Sequence, residues 1–349
     1  MTVKTYSIPQ PKSKIPARVS QADVAHLAGV SQAAVSRAFT PGASISAKIK
    51  ERVMDAAETL NYRPNAIARS LIKNSTRIIG IVVVRFANPF YWQVFEAFTQ
   101  KLQNLGYWTM LLNATQDQAV EETLPMALQY QVDGLIITSA TLSSKMADEC
   151  ARSGTPVVLF NRYELASKAN AVCCDNVGGG RLVADALLDA GYTRLAYIAG
   201  DLGSSTNRDR EQGFVEQLQA RNHPLAFRES GGAYTHESGY QSAKRLLQQE
   251  NRPDAIFCAS DLIALGAIDA AQELGVNIPD ELGIIGFDDI EMANWPTHNL
   301  TSVKQPIDLM VDTTIDVLLN AIEADEIETV MKWLPTTLVE RASTKAINR

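Results

Sequence analysis

The chain has 349 residues, 46% of them hydrophobic, with no apolar run long enough to span a bilayer and four cysteines in no disulfide or zinc spacing, which argues against an integral membrane protein and a disulfide-stapled secreted domain. The net charge of −7 conceals two parts of opposite sign: residues 1 to 77 carry 12 Lys plus Arg against 4 Asp plus Glu, a balance of +8, and the remainder carries 20 against 35, a balance of −15. A basic segment on an acidic body suits phosphate binding, because neutralised phosphates release counterions while the acidic remainder limits non-specific adhesion to nucleic acid.

Residues 1 to 17, opening MTVKTYSIPQPKSKIP, are Pro/Lys-rich without the apolar centre of a signal peptide and read as a disordered basic arm. From residue 18 to 63 the pattern is that of a helix-turn-helix headpiece. Ser20 with Asp23 forms a capping box for a short helix whose apolar face is Val24, Ala25, Leu27 and Ala28. Gly29 ends it in the left-handed conformation, and Val30 supplies the apolar contact that turns the chain. Ser31 caps a second helix in which Ala34, Val35 and Ala38 face inward, leaving Gln32, Ala33, Ser36 and Arg37 toward a DNA major groove. Arg37 suits guanine through its two-pronged guanidinium, Gln32 suits an adenine edge, and Ala33 offers an apolar contact. Ser20, Ser31, Ser36, Asn65 and Arg69 suit phosphate or backbone contacts, which position without specifying. A long helix starts near Ser46 and is broken by Arg63 and Pro64, since proline disfavours the helical conformation in the residue before it. Residues 64 to 76 then form a hinge and linker, with Asn65 to Leu71 restarting a helix too short to be stable alone. Its folding is therefore available as a coupling element.

Residues 77 to 345 alternate β-branched runs with amphipathic stretches. RIIGIVVV, YWTMLLN, VDGLIIT, TPVVLF, LAYIAG, AIFCAS and LGIIGF read as parallel strands covered on both faces. Phe90 to Leu105, Ala119 to Tyr130, Gly178 to Ala190, Arg208 to Arg221, Thr235 to Gln249 and Leu262 to Leu274 have helical length and period. This alternation predicts an α/β core of two doubly wound parallel-sheet lobes, with a ligand at the carboxyl ends of the strands. Phe90, Tyr91, Asn161, Arg162, Arg210, Asp261 and Asp288 follow strand ends. Two arginines, an asparagine, two carboxylates and aromatics suit a ligand with hydroxyls and an anionic group, a saccharide or sugar derivative. Whether Arg162, Arg208 and Arg210 together bind a carboxylate or phosphate, or Arg208 faces solvent while Arg162 bridges the lobes, stays open.

The pair Asp261 and Asp288 invites an enzymatic reading, but no nucleophile elbow, phosphate loop, metal-ligand spacing or His/Cys pairing accompanies it, and His26, His223, His236 and His298 are scattered. No catalytic residue, metal or cofactor is expected. Cys150, Cys173, Cys174 and Cys258 read as reduced, mostly buried thiols of a cytoplasmic protein.

YRPNAIARSL (Tyr62 to Leu71) together with DVAHLAGVSQAAVSRAF makes the chain resemble bacterial transcription regulators of the lactose/galactose repressor family. The likeness continues through IIGIVVVRFANPFYWQVFEAF, the GGG segment after Asp175 and Asn176, and GIIGFDDIEMANW, and spans about Arg18 to about Arg341. The resemblance implies a headpiece, a hinge helix that orders on operator DNA, a two-lobed periplasmic-binding-protein-like effector core, and a homodimer reading a near-palindromic site. It implies an N-lobe of about 77–174 and 306–332 and a C-lobe of about 175–305 and 333–345. It also implies that Leu71 is an apolar wedge in the minor groove with Ala68 beside it, that Gln32 and Ala33 choose the operator, and that Tyr234 stacks on the effector. Where purine-binding relatives carry an arginine six residues before the Arg210 position, this chain has Ser204, and Arg162 replaces a tryptophan, so the pocket is expected to be polar rather than purine-binding. The expected function is an allosterically controlled repressor. A ligand-independent or protein-controlled regulator is the alternative, and an exported solute-binding protein is disfavoured by the hinge and the missing export signal. The closing VERASTKAINR holds no leucine heptad, which predicts a dimer rather than a tetramer.

Overall fold

The computed structural model describes residues 19–40, 42–64, 75–84, 88–114, 117–138, 143–165, 169–324 and 329–346. The chain separates into two units, one within residues 1–74 and one comprising 75–349.

The first unit packs α1 (Gln21–Ala28), α2 (Gln32–Ala38) and α3 (Ala47–Thr59) around a small core of Val24, Ala25, Ala28, Val35, Ala38, Val53, Ala56 and Ala57. Alanines at these positions let three helices approach closely, and Val19, Val30, Phe39, Ile49 and Tyr62 close the edges. The capping box forms as expected: the Ser20 hydroxyl accepts from the Asp23 amide, and Asp23 Oδ2 accepts from the Ser20 amide at 2.8 Å. Gly29 sits at φ 61°, ψ 43°, and the Arg52 guanidinium donates to the Ala28 carbonyl, satisfying a carbonyl that the helix end leaves open. Two expectations need correction. Leu27 is 51% exposed, because Val24, Ala25 and Ala28 define a stripe and Leu27, 100° before Ala28, falls on its flank. The third helix ends at Thr59, before Arg63 and Pro64: Asn61 takes φ 49°, its amide donates to Glu58 O and that of Tyr62 to Ala57 O, so a left-handed asparagine stops the helix first.

The second unit begins with β1 (Ile78–Val84), α4 (Pro89–Asn104), β2 (Trp108–Ala114), α5 (Asp117–Gln129), β3 (Gly134–Thr138), α6 (Ser144–Arg152), β4 (Val157–Phe160) and β5 (Asn170–Cys174). It continues through α7 (Asn176–Asp189), β6 (Leu195–Ala199), α8 (Ser205–Ala220), β7 (Phe227–Ser230), α9 (His236–Leu247), β8 (Ala255–Cys258), α10 (Asp261–Glu273), β9 (Gly283–Asp288) and β10 (Thr301–Lys304). Then come α11 (Ile307–Glu323), β11 (Met331–Leu334) and β12 (Thr337–Val339). The first sheet has the order β11-β5-β4-β3-β1-β2 and is parallel throughout. The second has the order β12-β10-β9-β8-β6-β7, with only β12 antiparallel. Strands β3, β4, β5, β6, β8 and β9 are buried at every residue, as continuous apolar runs predict. YWTMLLN does not fit that expectation. It forms the edge strand β2, and Trp108 is 67% exposed.

Sheet membership makes the chain cross between lobes three times, at 174–176, 304–307 and 334–337. The returning segment of the first lobe therefore runs to Leu334, two residues beyond the expected 332. The Asp175 amide donates to the Leu334 carbonyl at 2.7 Å and ties two crossings together. With this connectivity the carboxyl ends of both sets of strands meet at the crossings.

Candidate functional site

In the helical unit, α2 presents Gln32, Ala33, Ser36 and Arg37, all exposed, on the side away from buried Ala34, Val35 and Ala38. Ser31 Oγ accepts from the Ala34 amide at 3.2 Å, and Ser20 Oγ, besides capping α1, donates to Asp23 Oδ2 at 2.7 Å. These two hydroxyls build the helix starts on which the face depends. Gln21 Nε2 donates to the Gln32 carbonyl at 2.7 Å, joining the start of α1 to that of α2. Asn65, Ala68, Arg69 and Leu71 lie outside the described residues.

The second candidate site lies between the two lobes. From the first lobe come Phe90 and Tyr91 in the first turn of α4, and Asn161 and Arg162 directly after β4. Phe90 packs edge-on against Tyr91 with ring centroids 5.1 Å apart. Tyr91 is buried, which raises its phenol above the ordinary value, and it lies beside the Asn161 amide. Asn161 holds φ 59°, with its own amide fixed to the Val172 carbonyl.

From the second lobe come Arg210 on α8, Asp288 at the end of β9, and Tyr234 before α9. Arg210 is immobilised on every side: Nε donates to Asn176 Oδ1 at 2.8 Å, Nη1 to the Ala259 carbonyl, and Nη2 lies 3.2 Å from Asp288 Oδ1, while the guanidinium stacks 3.6 Å from the centroid of the Phe287 ring. Its position originates in the GGG segment. A Cβ at Gly180 would lie 2.3 Å from the Arg210 carbonyl oxygen, and one at Gly179 would lie 2.6 Å from the Phe287 ring. Only glycines let α7 approach α8 closely enough to set both the arginine and the ring beneath it. Asp288 takes φ 118° and Asp289 φ 54°. This strained turn is held by the Arg341–Asp289 ion pair at 2.7 Å and by the Asp289 amide donating to Ser302 Oγ, and it aims Asp288 at Arg210. Burial raises the Asp288 carboxyl above its usual value, and Arg210 works against that rise.

Tyr234 is fixed by two hydroxyls, Ser204 Oγ at 2.7 Å and Thr206 Oγ1 at 3.1 Å. Ser204 also caps α8, so α8 starts three residues before the expected Arg208. Arg162 reaches across the cleft to lie 5.7 Å from the centroid of the Tyr234 ring. Arg208, the residue left open, is half exposed; it pairs with Asp209 and donates to Tyr163 Oη, at the rim and away from Arg162's ring contact.

Asp261 lies apart from these partners. It is fully buried, its Oδ1 accepts from Ser302 Oγ at 2.6 Å and its Oδ2 from the Ile290 amide at 2.8 Å, so it braces the ends of β9 and β10 behind the cleft. Burial, then the like charge of Asp288, pushes its carboxyl well above the usual range. Gln305, by contrast, belongs to no motif that singles it out in the sequence. Buried at the second crossing, it donates Nε2 to Asp288 Oδ1 at 2.7 Å. Asn176 and Thr206 likewise carry no signal in the sequence; only the topology brings them to Arg210 and Tyr234.

Among the described residues, three buried side-chain polar atoms lack any hydrogen-bond partner: Asn161 Oδ1, Arg162 Nε and Gln305 Oε1. All three belong to this cleft. Native proteins match nearly all buried polar groups internally, and here three exceptions fall at one place. All four cysteines are buried and free, and burial pushes the Cys174 thiol to about 12. No helix among the described residues is long and apolar enough to cross a membrane.

Comparison with known proteins agrees with both units. Residues 21–65 match the model of bacterial regulatory proteins of the lacI family, and residues 184–344 match a periplasmic binding protein-like domain. Catabolite control protein A of Priestia megaterium is 31% identical over 328 residues, 93% of this chain and 98% of that protein. The ribose operon repressor of Escherichia coli (strain K12) is 31% identical over 325 residues, covering 92% and 98%. Among solved structures, the lac repressor dimer bound to operator and the anti-inducer ONPF superposes with a TM-score of 0.86 at 27% identity, over 95% of this chain and all of that one.

Proposed function

The chain belongs to the lacI family of bacterial regulatory proteins and is a DNA-binding transcription regulator, and on that premise we propose a cytoplasmic homodimeric repressor whose operator affinity is set by a saccharide-like effector held between the lobes. The three unmatched buried atoms at Asn161, Arg162 and Gln305 carry the effector reading. Phe90, Tyr91, Asn161, Arg162, Arg210, Tyr234 and Asp288 line the effector site, with Gln305 added and Asp261 acting as a brace behind it. The carboxylates serve ligand and scaffold, and the chain performs no catalysis.

On the DNA side, Gln32, Ala33 and Arg37 read bases while Ser20, Ser31, Ser36, Asn65 and Arg69 contact the backbone; Leu71 enters the minor groove with Ala68 beside it. A near-palindromic operator requires two copies. Self-association has a surface in the first lobe, where Trp92, Trp108 and Leu111 of α4 and the edge strand β2 are exposed, a combination that favours a covering partner. The test is fluorescence anisotropy on an operator selected from random duplexes. Arg37→Ala is expected to weaken the selected site by about 1–3 kcal/mol and to relax the sequence preference at one base pair. An unchanged preference would remove Arg37 from base readout.

A further inference from the structure

The two cleft arginines are built for different purposes. Arg210 is neutralised by Asp288 at 3.2 Å, and its other nitrogens are engaged by Asn176 and the Ala259 carbonyl. Arg162 is only 5% exposed, yet among the described residues it has no carboxylate within ion-pair distance and its Nε has no partner; its guanidinium lies over the face of Tyr234, and the carboxylate whose charge it feels, Asp288, is already paired with Arg210. The remaining nearby acids are taken: Asp209 by Arg208 and Tyr163, and Asp261 by Ser302 and Ile290. A guanidinium cannot discard its proton to escape burial, and a buried charge without a counter-charge is strongly unfavourable. A neutral ligand closing over Arg162 would exclude water and leave that charge opposed only by Asp288, which lies beyond ion-pair distance and is shared with Arg210. Asn161 Oδ1 and Gln305 Oε1 are unmatched acceptors and call for hydroxyl donors.

Building on the effector site proposed above, we propose that the effector is a polyhydroxylated anion, a sugar acid or a sugar phosphate, whose acidic group pairs with Arg162 while its hydroxyls donate to Asn161 and Gln305. A planar guanidinium makes two parallel hydrogen bonds to a carboxylate or phosphate, and the Tyr234 face beneath it restricts approach to the guanidinium edge.

The test is thermal unfolding of the full-length protein in gluconate, galacturonate, glucose 6-phosphate, acetate and inorganic phosphate, with neutral glucose and ribose for comparison, all at matched ionic strength. A ligand of the folded state raises the melting temperature. At least one anion is expected to raise it by several degrees and neither neutral sugar to do so; carboxylate against phosphate responses identify the acidic group. Arg162→Met and Arg162→Gln are expected to abolish the response while melting close to wild type, since neither breaks an ion pair or a hydrogen bond, whereas Arg210→Met melts well below. A neutral sugar that stabilises wild type and both Arg162 variants alike overturns the anion inference and leaves the cleft reading standing. Arg162 variants that melt as low as Arg210→Met also overturn it, because Arg162 would then be structurally paired. If no compound, charged or neutral, moves the transition, the inference and the cleft reading fall together.

Discussion

Replacing Asp288 by Asn isolates the buried ion pair at the centre of the second lobe's contribution. Asp288 Oδ1 and Arg210 Nη2 are 3.2 Å apart, with side chains 6% and 3% exposed. At an effective dielectric of about 20 the Coulomb attraction over that distance is about 5 kcal/mol, and removing one partner of a buried pair typically destabilises by about 3–5 kcal/mol. Asn keeps the volume and an oxygen for Gln305 Nε2, so the loss is electrostatic rather than steric. For a unit of this size each kcal/mol corresponds to roughly 2–4 °C, so the core is expected to melt about 10 °C below wild type, and the ligand response is expected to be lost with it. The double variant Asp288→Asn/Arg210→Met no longer strands a guanidinium and is expected to recover most of the deficit, giving a coupling energy of about 2–3 kcal/mol in a double-mutant cycle. Calorimetry on the three variants measures this. A single variant within about 1 kcal/mol of wild type, or additive effects in the cycle, would show that Arg210 draws its compensation from another group, and the charge count of the cleft would fail.

Asp261→Asn tests the brace by its pH dependence. Because burial and Asp288 raise the Asp261 carboxyl well above its usual range, the folded protein binds a proton that the unfolded chain releases, so its contribution to stability declines as pH rises from about 4 through the raised value. The urea midpoint of the Asn variant relative to wild type should therefore climb with pH over that window, and a pH-independent difference would contradict a raised Asp261. Gly180→Ala drives a Cβ to 2.3 Å from the Arg210 carbonyl oxygen; overpacking of this kind destabilises by about 1–3 kcal/mol, and a melting temperature equal to wild type would mean that α7 and α8 can separate freely. Leu71→Ala is expected to reduce operator affinity about tenfold or more, ~1.4 kcal/mol, with effector binding retained; unchanged affinity would remove the wedge.

The helical unit was legible because its signals are local: a cap, a left-handed glycine and a 3.6-residue stripe each act within one turn. Even there Asn61 pre-empts the proline, since Asn as well as Gly tolerates positive φ. In the core, most of the fully buried strands stand out in the sequence as apolar runs, whereas buried β5 and the strands β7, β10, β11 and β12 do not. These are only three to five residues long, and β7, β11 and β12 lie at sheet edges, where alternating or polar composition replaces a run. Helices α6 and α11 have no counterpart among the helices expected from the sequence. Apolar runs in the sequence put Asn161, Arg162 and Asp288 at the ends of β4 and β9, where the structure has them, but say nothing of the direction of each side chain. Asp261 and Asp288 look equivalent in sequence and separate only because Ser302 and the Ile290 amide, 41 and 29 residues from Asp261, consume one of them.

The distribution of contacts between lobes bears on how a ligand could act as a switch. Asn161 and Arg162 belong to the first lobe, Arg210, Tyr234 and Asp288 to the second, and Gln305 to a crossing. A ligand can shift an equilibrium between lobe arrangements only by its difference in affinity for them, and allosteric couplings are typically about 1–3 kcal/mol. Satisfying one buried polar group contributes on the order of 1–3 kcal/mol, so matching Asn161 and Arg162 at the lobe spacing that also reaches Gln305 and Asp288 is enough to supply the whole coupling. Residues that bind equally in every arrangement, such as a Phe90 wall moving with its own lobe, add affinity without adding control. The regulatory energy is therefore assigned to Arg162, Asn161 and Gln305. By linkage, a ligand that weakens operator binding must itself bind less tightly to the DNA-bound protein by the same factor, so substitutions at these three positions should change that factor, whereas substitutions at Phe90 should change the affinity in both states alike.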